Sequence, residues 1–188
     1  YSLLEERVPK TKPFNKDEAL IKLAKKYFSS RGPATLQDFI WWSGLPVGDA
    51  KHALEMVKKE FVSIKYNEHI YWLHEKDKEH YHENEKEKGG KICCLLPAYD
   101  EFLISYRDRS ASLTFDDFEK TISNNGIFRP VIVVDGQVTG LWKRTLSKET
   151  VIIELNFFKN TDKKTMSILE SKCESFGKFL DLKTEIIL

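Results

Sequence analysis

Apolar residues recur at three- and four-residue steps through the first third of the chain, and this spacing predicts helices. The first helix begins near Asp17, and Gly32 and Pro33 end it. The apolar positions that define its buried face are Leu20, Leu23, Ala24, Tyr27 and Phe28.

Two further helices are predicted before the pattern changes. Thr35 is a suitable N-cap for a short helix. The turn SGLP ends this helix, and a third helix follows from about Val47 to Lys59. Its apolar stripe consists of Ala50, Ala53, Leu54 and Val57.

The stretch FVSIKYNEHIYWL, residues 61–73, is rich in β-branched and aromatic residues, with Asn67 and Glu68 between its halves. This composition predicts a β-hairpin. Three helices followed by a hairpin are the order of a winged helix-turn-helix, which we assign to residues 17–74. Residues 1–16, which contain Pro9 and Pro13, are predicted to form a leading arm.

Residues 75–90, EKDKEHYHENEKEKGG, show no apolar periodicity and carry dense mixed charge. We interpret them as a solvated, mobile linker. They separate the winged helix from a second domain, residues 91–188.

The second domain is predicted to be α+β. KICCLL and TVIIELNFF are strand candidates, and TEIIL offers a last strand. Asp135-Gly136 between two extended runs is the strongest short-range hairpin signal. A C-terminal helix has its apolar stripe at Met166, Leu169, Cys173, Phe176 and Leu180. Together these elements predict a small antiparallel β-sheet with a C-terminal helix packed on one face.

The composition excludes some classes of function but does not identify one. The 188 residues carry a formal net charge of +1, which excludes a polybasic coat but permits a local basic face. Three cysteines without regular spacing favour reduced thiols and hence a cytoplasmic location. No apolar run approaches the roughly 20 residues that a membrane span requires, so no membrane association is expected.

The surface of the third helix is the first candidate site. Opposite its apolar stripe lie Gly48, His52, Glu55 and Lys59, and Lys51 and Lys58 lie on one flank of that face. These side chains suit phosphates better than base edges, which are usually contacted by Arg, Asn or Gln. Lys65 in the hairpin is a further phosphate contact. The alternative is that this helix only packs against a neighbouring domain.

Signals for a metal or a nucleophile are weak. His74, His80 and His82 are spaced so that a strand could chelate an ion, but their segment offers no rigid scaffold. The cysteines lie in apolar runs without a nearby His. We therefore predict no metal, no cofactor and no catalytic residue in this chain.

Three blocks of sequence carry a family resemblance: GPATLQDFIWWSGLPVGDAKHAL, LLPAYDEFLISYRDRS and NGIFRPVIVVDGQVTGLWKR. Together they resemble the bacterial winged-helix DNA-binding family that includes the AlkZ and YcaQ DNA glycosylases. The resemblance implies double-stranded DNA as the partner. It also implies a further winged-helix region on the N-terminal side, so that this chain is the C-terminal portion of a longer protein.

The resemblance does not supply catalytic residues. In the glycosylases of this family, a Gln-x-Gln or Gln-x-Asp pair positions the hydrolytic water. This chain has two glutamines, Gln37 and Gln137, and the residues two positions on are Phe39 and Thr139. The pair is therefore missing, and whether the intact protein is an enzyme stays open.

The charged cluster in LLPAYDEFLISYRDRS has two interpretations. If FLISY is extended, Arg107 and Arg109 face away from Phe102, Ile104 and Tyr106. We favour a network of Asp100, Glu101 and Asp108 with these arginines that ties the second half to the winged helix. One arginine would be left over for phosphate. Lys143 and Arg144, which follow a strand at the exposed end of the Asp135-Gly136 hairpin, are also expected to reach a DNA backbone.

The sequence therefore predicts a DNA-binding winged-helix module, the C-terminal part of a glycosylase-like protein, that binds mainly the phosphate backbone. Two alternatives stay open. The chain could be the duplex clamp of an intact glycosylase that acts on alkylated or crosslinked bases. It could also be a protein-interaction scaffold without a nucleic-acid role.

Overall fold

The computed structural model describes residues 3–8, 14–66, 68–78 and 91–188. The chain divides into two compact units, Tyr1–Glu83 and Asn84–Leu188. The boundary falls within the segment predicted to be a linker. Each unit has its own sheet, and each is described separately.

The first unit consists of helices and a three-stranded antiparallel sheet of order β1-β3-β2. Its elements are α1 (Leu4–Arg7), α2 (Lys16–Arg31), β1 (Ala34–Thr35), α3 (Leu36–Ser43), α4 (Val47–Val57), a 3-10 turn (Lys58–Glu60), β2 (Phe61–Tyr66) and β3 (His69–His74).

Capping boxes fix the starts of α2 and α3. Asn15 accepts a hydrogen bond from the backbone N–H of Glu18, whose side chain accepts one from the N–H of Asn15. Thr35 and Asp38 make the same reciprocal pair at the start of α3, so the N-cap predicted at Thr35 is confirmed. Each box satisfies two backbone donors that the first helical turn leaves without partners.

Aromatic rings form the centre of the first core. Tyr27, Phe28 and Phe39 are almost fully buried, with neighbouring ring centroids 5.2–5.3 Å apart. The buried residues of α4 are Ala50, Ala53, Leu54 and Val57, which are the four predicted positions. The small alanines let α4 lie close to α2, so one face of α4 is committed to the core.

The predicted hairpin is present. β2 and β3 pair in antiparallel register from Phe61 opposite His74 to Tyr66 opposite His69. Asn67 lies outside the described residues, and Glu68 has a φ of 64°. Phe61 and Leu73 are buried, which anchors the base of the hairpin to the helices.

The segment predicted to be a charged linker begins with a helical turn at residues 75–78. The solvated, mobile linker across residues 75–90 stays a prediction. The remainder of the predicted linker, including His80 and His82, lies outside the described residues.

The second unit is a five-stranded sheet of order β4-β5-β6-β7-β8. Its elements are β4 (Cys93–Leu96), α5 (Glu101–Ile104), α6 (Phe115–Thr121), β5 (Val131–Val134), β6 (Gln137–Leu146), β7 (Thr150–Phe157), α7 (Lys163–Phe179) and β8 (Lys183–Ile187). The last strand predicted at TEIIL is present, but it runs parallel to β7. The sheet is therefore mixed, and the prediction of a purely antiparallel sheet was wrong, because α7 returns the chain to the end where β7 began.

The predicted Asp135-Gly136 turn joins β5 and β6. Both residues have positive φ, 48° and 80°, as a two-residue hairpin turn of type I′ requires. The side chain of Asp135 also accepts a hydrogen bond of 2.8 Å from the backbone N–H of Ile92. The turn is thereby tied to the chain segment that enters β4.

Each face of this sheet has its own core. On one face, the stripe of α7 packs against the strands, with Leu169 and Cys173 fully buried at its centre. The predicted stripe of α7 is thus confirmed. On the other face, Leu103, Leu113 and Ile122 from the segment between β4 and β5 cover the sheet. This second layer was not predicted, because its apolar residues follow no single period.

Gly140 offers a test of the close contact between β6 and β7. A Cβ at this position would lie 2.4 Å from the carbonyl oxygen of Asn156 and 3.0 Å from the Cα of Phe157. Since backbone cannot move aside as a side chain can, Gly140→Ala should lower the free energy of unfolding by about 1–3 kcal/mol. Urea denaturation followed by circular dichroism measures this change.

Gly48→Ala is the matched control, because a Cβ there meets nothing within 4 Å. In the first turn of α4 the same substitution should leave stability unchanged or raise it by up to about 1 kcal/mol. Equal losses in the two variants would contradict the proposed clash.

Candidate nucleic-acid interface

The outward face of α4 carries the predicted cluster. Lys51, His52 and Glu55 are exposed, and Lys59 is exposed in the 3-10 turn that follows. The helical period therefore places these side chains together, opposite the buried stripe. Sequence reasoning identified this face from spacing alone.

Acidic side chains moderate the charge of this face. Nε2 of His52 lies 3.2 Å from Oδ1 of Asp17, and Nζ of Lys58 lies 2.5 Å from Oε2 of Glu55. The Glu55–Lys58 pair could have been predicted from its three-residue spacing. The His52–Asp17 pair could not, because it joins two helices. Such exposed pairs are weak and can exchange partners when a phosphate approaches.

The hairpin presents Lys65 on its exposed half, with Nζ 3.3 Å from Oε2 of Glu68. Beside it, Ile64, Tyr66 and Ile70 are 42%, 64% and 53% exposed. The tip of this hairpin is therefore more apolar than a phosphate-binding loop usually is. Sequence reasoning missed this feature, although uninterrupted β-branched and aromatic residues on both strands were its signal.

The segment around Arg107 and Arg109 differs from the expectation. Residues Glu101–Ile104 form a helical turn, with Asp100 as its N-cap, so the extended alternation proposed for FLISY was wrong. Proline at position 97 and the Asx-type cap favour a turn here over a strand.

Arg109 has a structural position. Its Nε donates to the carbonyl of Leu103 at 2.7 Å, and its Nη1 donates to the carbonyl of Arg107 at 3.1 Å. Its guanidinium also lies 5.0 Å from the ring of Phe128. Arg109 therefore holds the loop, while the more exposed Arg107 is the better placed of the two for a phosphate. The network predicted to tie this segment to the first unit stays a prediction.

The prediction that Lys143 and Arg144 follow a strand was wrong, because both lie inside β6, at the end remote from the Asp135-Gly136 turn. Their role in DNA binding stays a prediction. Because they are neighbours in a strand, they project from opposite faces of the sheet. Nζ of Lys143 lies 3.1 Å from Oε1 of Glu154. The guanidinium of Arg144 lies on the α7 side, 5.5 Å from the ring of Phe176.

A polar cavity of about 390 Å³ in the second unit is a candidate for catalysis because two carboxylates line it. Asp117 is buried and accepts hydrogen bonds from Lys120 at 2.7 Å and Thr114 at 2.9 Å. The hydrogen bond from Lys120 holds the pKa of Asp117 below its usual range. A general base works best with a pKa near the working pH, so Asp117 is a weak candidate.

The second carboxylate of the cavity, Asp162, is the N-cap of α7. It accepts hydrogen bonds from the N–H and hydroxyl of Thr165, and Lys91 donates to its Oδ2. The hydrogen bond from Lys91 holds the pKa of Asp162 well below its usual range, and Asp162 raises the pKa of Lys91 in return. Asp162 thus caps the start of α7, Asp117 accepts a hydrogen bond from the N-cap residue of α6, and each carboxylate also binds a lysine.

The two buried thiols, Cys93 and Cys173, are not activated. Burial raises the pKa of Cys173 to about 11, and burial also raises the pKa of Cys93. All three cysteines are free thiols. A nucleophilic cysteine needs a lowered pKa, so neither buried thiol is suited to attack a substrate.

Within the described residues, no group of three or more His, Cys, Asp or Glu side chains could hold a metal ion. His74 packs its ring 5.9 Å from that of Phe61, and its Nδ1 accepts a hydrogen bond from the N–H of Lys76. No helix in the same part of the chain is long and apolar enough to cross a membrane.

The fold and these positions define a mixed α+β protein of two units with basic side chains on the surface of each. The chain belongs to the AlkZ-like DNA glycosylase family: residues 1–179 match the family described as DNA glycosylase AlkZ-like. The resemblance inferred from the three sequence blocks is therefore confirmed at the level of the family. Comparison with the curated proteins finds no match.

Among solved structures, the DNA glycosylase AlkZ of Streptomyces sahachiroi has a similar fold, with a TM-score of 0.71 and 19% sequence identity. The match covers 94% of this chain and 48% of that one. The chain thus spans about half the length of the glycosylase it matches. At this identity the likeness shows the fold, and activity has to be argued from the residues.

The depressed pKa of Asp162 predicts how stability responds to acid. A carboxylate with a folded pKa below its unfolded value of about 3.9 stabilises the fold above that pH and loses this contribution as pH falls. Asp162→Asn keeps an N-cap of similar quality but removes the charge. The wild type should be more stable than the variant at pH 7, and the difference should shrink between about pH 4 and pH 2.

Urea denaturation at a series of pH values measures the difference, and Asp116→Asn, which removes an exposed carboxylate of α6, is the control. A gap between wild type and Asp162→Asn that stays constant down to pH 2 would show that the charge of Asp162 does not stabilise the fold.

Proposed function

We propose that this chain is a winged-helix module of a glycosylase-like DNA repair protein and binds duplex DNA mainly through its phosphates. The observation that carries the proposal is that α4 buries one face in the core and exposes Lys51 and His52, with Lys59 exposed in the 3-10 turn that leads to the hairpin. Membership of a DNA glycosylase family supports duplex DNA as the partner.

The geometry of α4 suits a groove of DNA. Eleven helical residues span about 16 Å, and a major groove about 12 Å wide admits a helix. The exposed face has lysines and a histidine but no Arg, Asn or Gln to make paired contacts with base edges. We therefore infer weak sequence preference, with β2 and β3 as the wing and Lys65 beside the backbone.

The second unit adds further basic positions to the proposal. Arg107, Lys143 and Arg144 are exposed, while Arg109 orders the loop that presents Arg107. Lys143 already has Glu154 as a neighbour, so its contribution to binding should be the smallest of the three. Two separate sets of cations would make affinity depend steeply on salt.

The chain is proposed to bind DNA without cleaving the bond between base and sugar. Neither glutamine belongs to a Gln-x-Gln or Gln-x-Asp pair, and Nε2 of Gln137 donates to the carbonyl of Ala111 at 2.6 Å. The two carboxylates of the polar cavity have lowered pKa values and structural roles. The three free thiols also favour the cytoplasm as its location.

A second candidate function is that of a duplex clamp within a larger glycosylase. It is favoured by the match to 48% of the Streptomyces sahachiroi enzyme, since the remainder of such a protein could supply an N-terminal winged-helix region and the water-activating glutamines. Both candidates require this chain to bind duplex DNA, and they differ in the activity of the whole protein.

A protein-interaction scaffold is the third candidate. The near-neutral net charge and the acids Asp17 and Glu55 beside the exposed face of α4 favour it. This candidate predicts no affinity for duplex DNA, so one binding measurement separates it from the other two.

The duplex-binding proposal predicts a specific change in salt dependence. Each phosphate contact adds about 0.9 to the negative slope of log affinity against log salt. Lys51→Ala combined with Lys59→Ala should flatten that slope by about 1.8 while leaving sequence preference unchanged. Fluorescence anisotropy with a labelled 20-base-pair duplex at 20–200 mM salt measures the slope.

Lys26→Ala is the control, because Lys26 is exposed and lies on the opposite side of α2 from Asp17, the residue that contacts His52. An equal effect of the control would assign binding to diffuse charge. Failure of the wild type to bind at the lowest salt would favour the scaffold.

The non-catalytic assignment predicts that this chain releases no base from DNA. Incubation of the chain with a duplex that contains 7-methylguanine should release no free base above the spontaneous rate, because no residue pair here can position a hydrolytic water. Chromatography of the released bases measures this outcome. Base release that scales with protein concentration and disappears on heating would overturn the non-catalytic assignment.

A further inference from the structure

A second pocket, of about 330 Å³, opens on the α7 side of the second unit. It is lined by Leu95, Pro97, Trp142, Arg144, Lys172 and Phe176. It is distinct from the polar cavity that contains Asp117 and Asp162, since the two share no lining residue.

The pocket exists because neighbouring strands differ in length. β6 continues to Leu146, whereas β5 begins at Val131, which pairs with Leu141. The backbone N–H of Trp142 donates to the carbonyl of Pro130. After Trp142, the residues of β6 pair with β7 but not with β5. The sheet thus has a notch beside Trp142, and α7 forms its wall.

The floor of the notch is aromatic and fixed in position. Trp142 is 7% exposed, and its indole N–H donates to the carbonyl of Leu96 at 2.7 Å. The ring of Phe176 stands at 80° to the indole with the centroids 5.9 Å apart. The hydrogen bond and the neighbouring ring hold the indole in place, and the guanidinium of Arg144 lies 5.5 Å from the ring of Phe176.

The rim of the notch is cationic. Arg144 reaches it from β6 and Lys172 from α7, and both are exposed. The other four lining residues are apolar, and no carboxylate lines the pocket. Glu170 and Glu174 lie on α7 on either side of Lys172 in sequence, but neither belongs to the lining. The pocket therefore combines two aromatic rings, set at 80° to each other, with two positive charges at its mouth.

We propose that this pocket binds one unstacked nucleotide of DNA, with the base against Trp142 and Phe176 and a phosphate at Arg144 and Lys172. Bases stack on aromatic side chains with little regard to sequence, and a guanidinium binds phosphate oxygens in pairs. The volume lies within the usual range of small-ligand pockets. The assignment rests on the proposed DNA binding, because it takes the nucleotide to be part of a DNA strand.

The test compares a single strand with a duplex. Affinities of the whole 188-residue chain for a labelled ten-nucleotide single strand of deoxythymidine and for a 20-base-pair duplex are measured by fluorescence anisotropy. The variants are Phe176→Leu, which keeps an apolar side chain without a ring, Arg144→Gln and Lys172→Gln. Lys178→Gln is the matched control, since Lys178 is exposed on the same helix but does not line the pocket.

Each pocket variant should weaken single-strand binding by about five- to tenfold, and the control should change it less than twofold. Phe176→Leu should change duplex affinity less than twofold, because a paired base is not available to the pocket. Deoxyadenosine monophosphate should displace the single strand at concentrations at which inorganic phosphate does not. It should also shift the nuclear magnetic resonance signal of the Trp142 indole N–H, which reports folding of each variant as well.

Unchanged single-strand affinity in all three variants would overturn the assignment, and so would equal displacement by phosphate and by the nucleotide. Duplex binding without any effect of the nucleotide on the Trp142 signal would refute the pocket and leave the proposed function standing. A nucleotide-dependent shift without duplex binding would support the pocket and refute the duplex-binding proposal.

Discussion

Burial of the α7 stripe against the five-stranded sheet is the interaction on which the second unit depends. Leu169 and Cys173 fill the centre of that contact. The same packing sets Asp162 at the N-terminus of α7 within reach of Lys91, and it brings Phe176 against Trp142. It also returns the chain so that β8 pairs in parallel with β7. Loss of this contact would remove the two cavities described above, because α7 contributes residues to each of them.

In the first unit, α4 has one face in the core and one face exposed to solvent. Alanines at two of the four buried positions of α4 allow close packing on α2. The outward face is then free to carry charge. Because acids from α2 and from α4 itself lie beside its cations, the net field is modest, and affinity for a polyanion should come from several weak contacts rather than one strong patch.

Two carboxylates of the second unit have structural roles. Asp117 and Asp162 line a cavity of suitable size, yet each caps or braces a helix and each has a lysine partner. Hydrogen bonds from Lys120 and Lys91 lower the pKa values of these two carboxylates and weaken them as bases. A site of this kind looks catalytic when only residue types are counted, and structural when the hydrogen bonds are followed.

The sequence by itself determined the features that depend on neighbours within a few residues. The stripes of α2, α4 and α7, the Thr35 cap and the Asp135-Gly136 turn follow from helical period, side-chain capping and tolerance of positive φ. The three blocks of sequence also carried the family resemblance. Only the tertiary structure decided the parallel pairing of β8, the turn at Glu101–Ile104, the structural position of Arg109 and the notch beside Trp142. Except for the local turn and the Arg109 loop, these features join residues tens of positions apart, and burial and strand length in three dimensions, rather than local spacing, set which side chains meet.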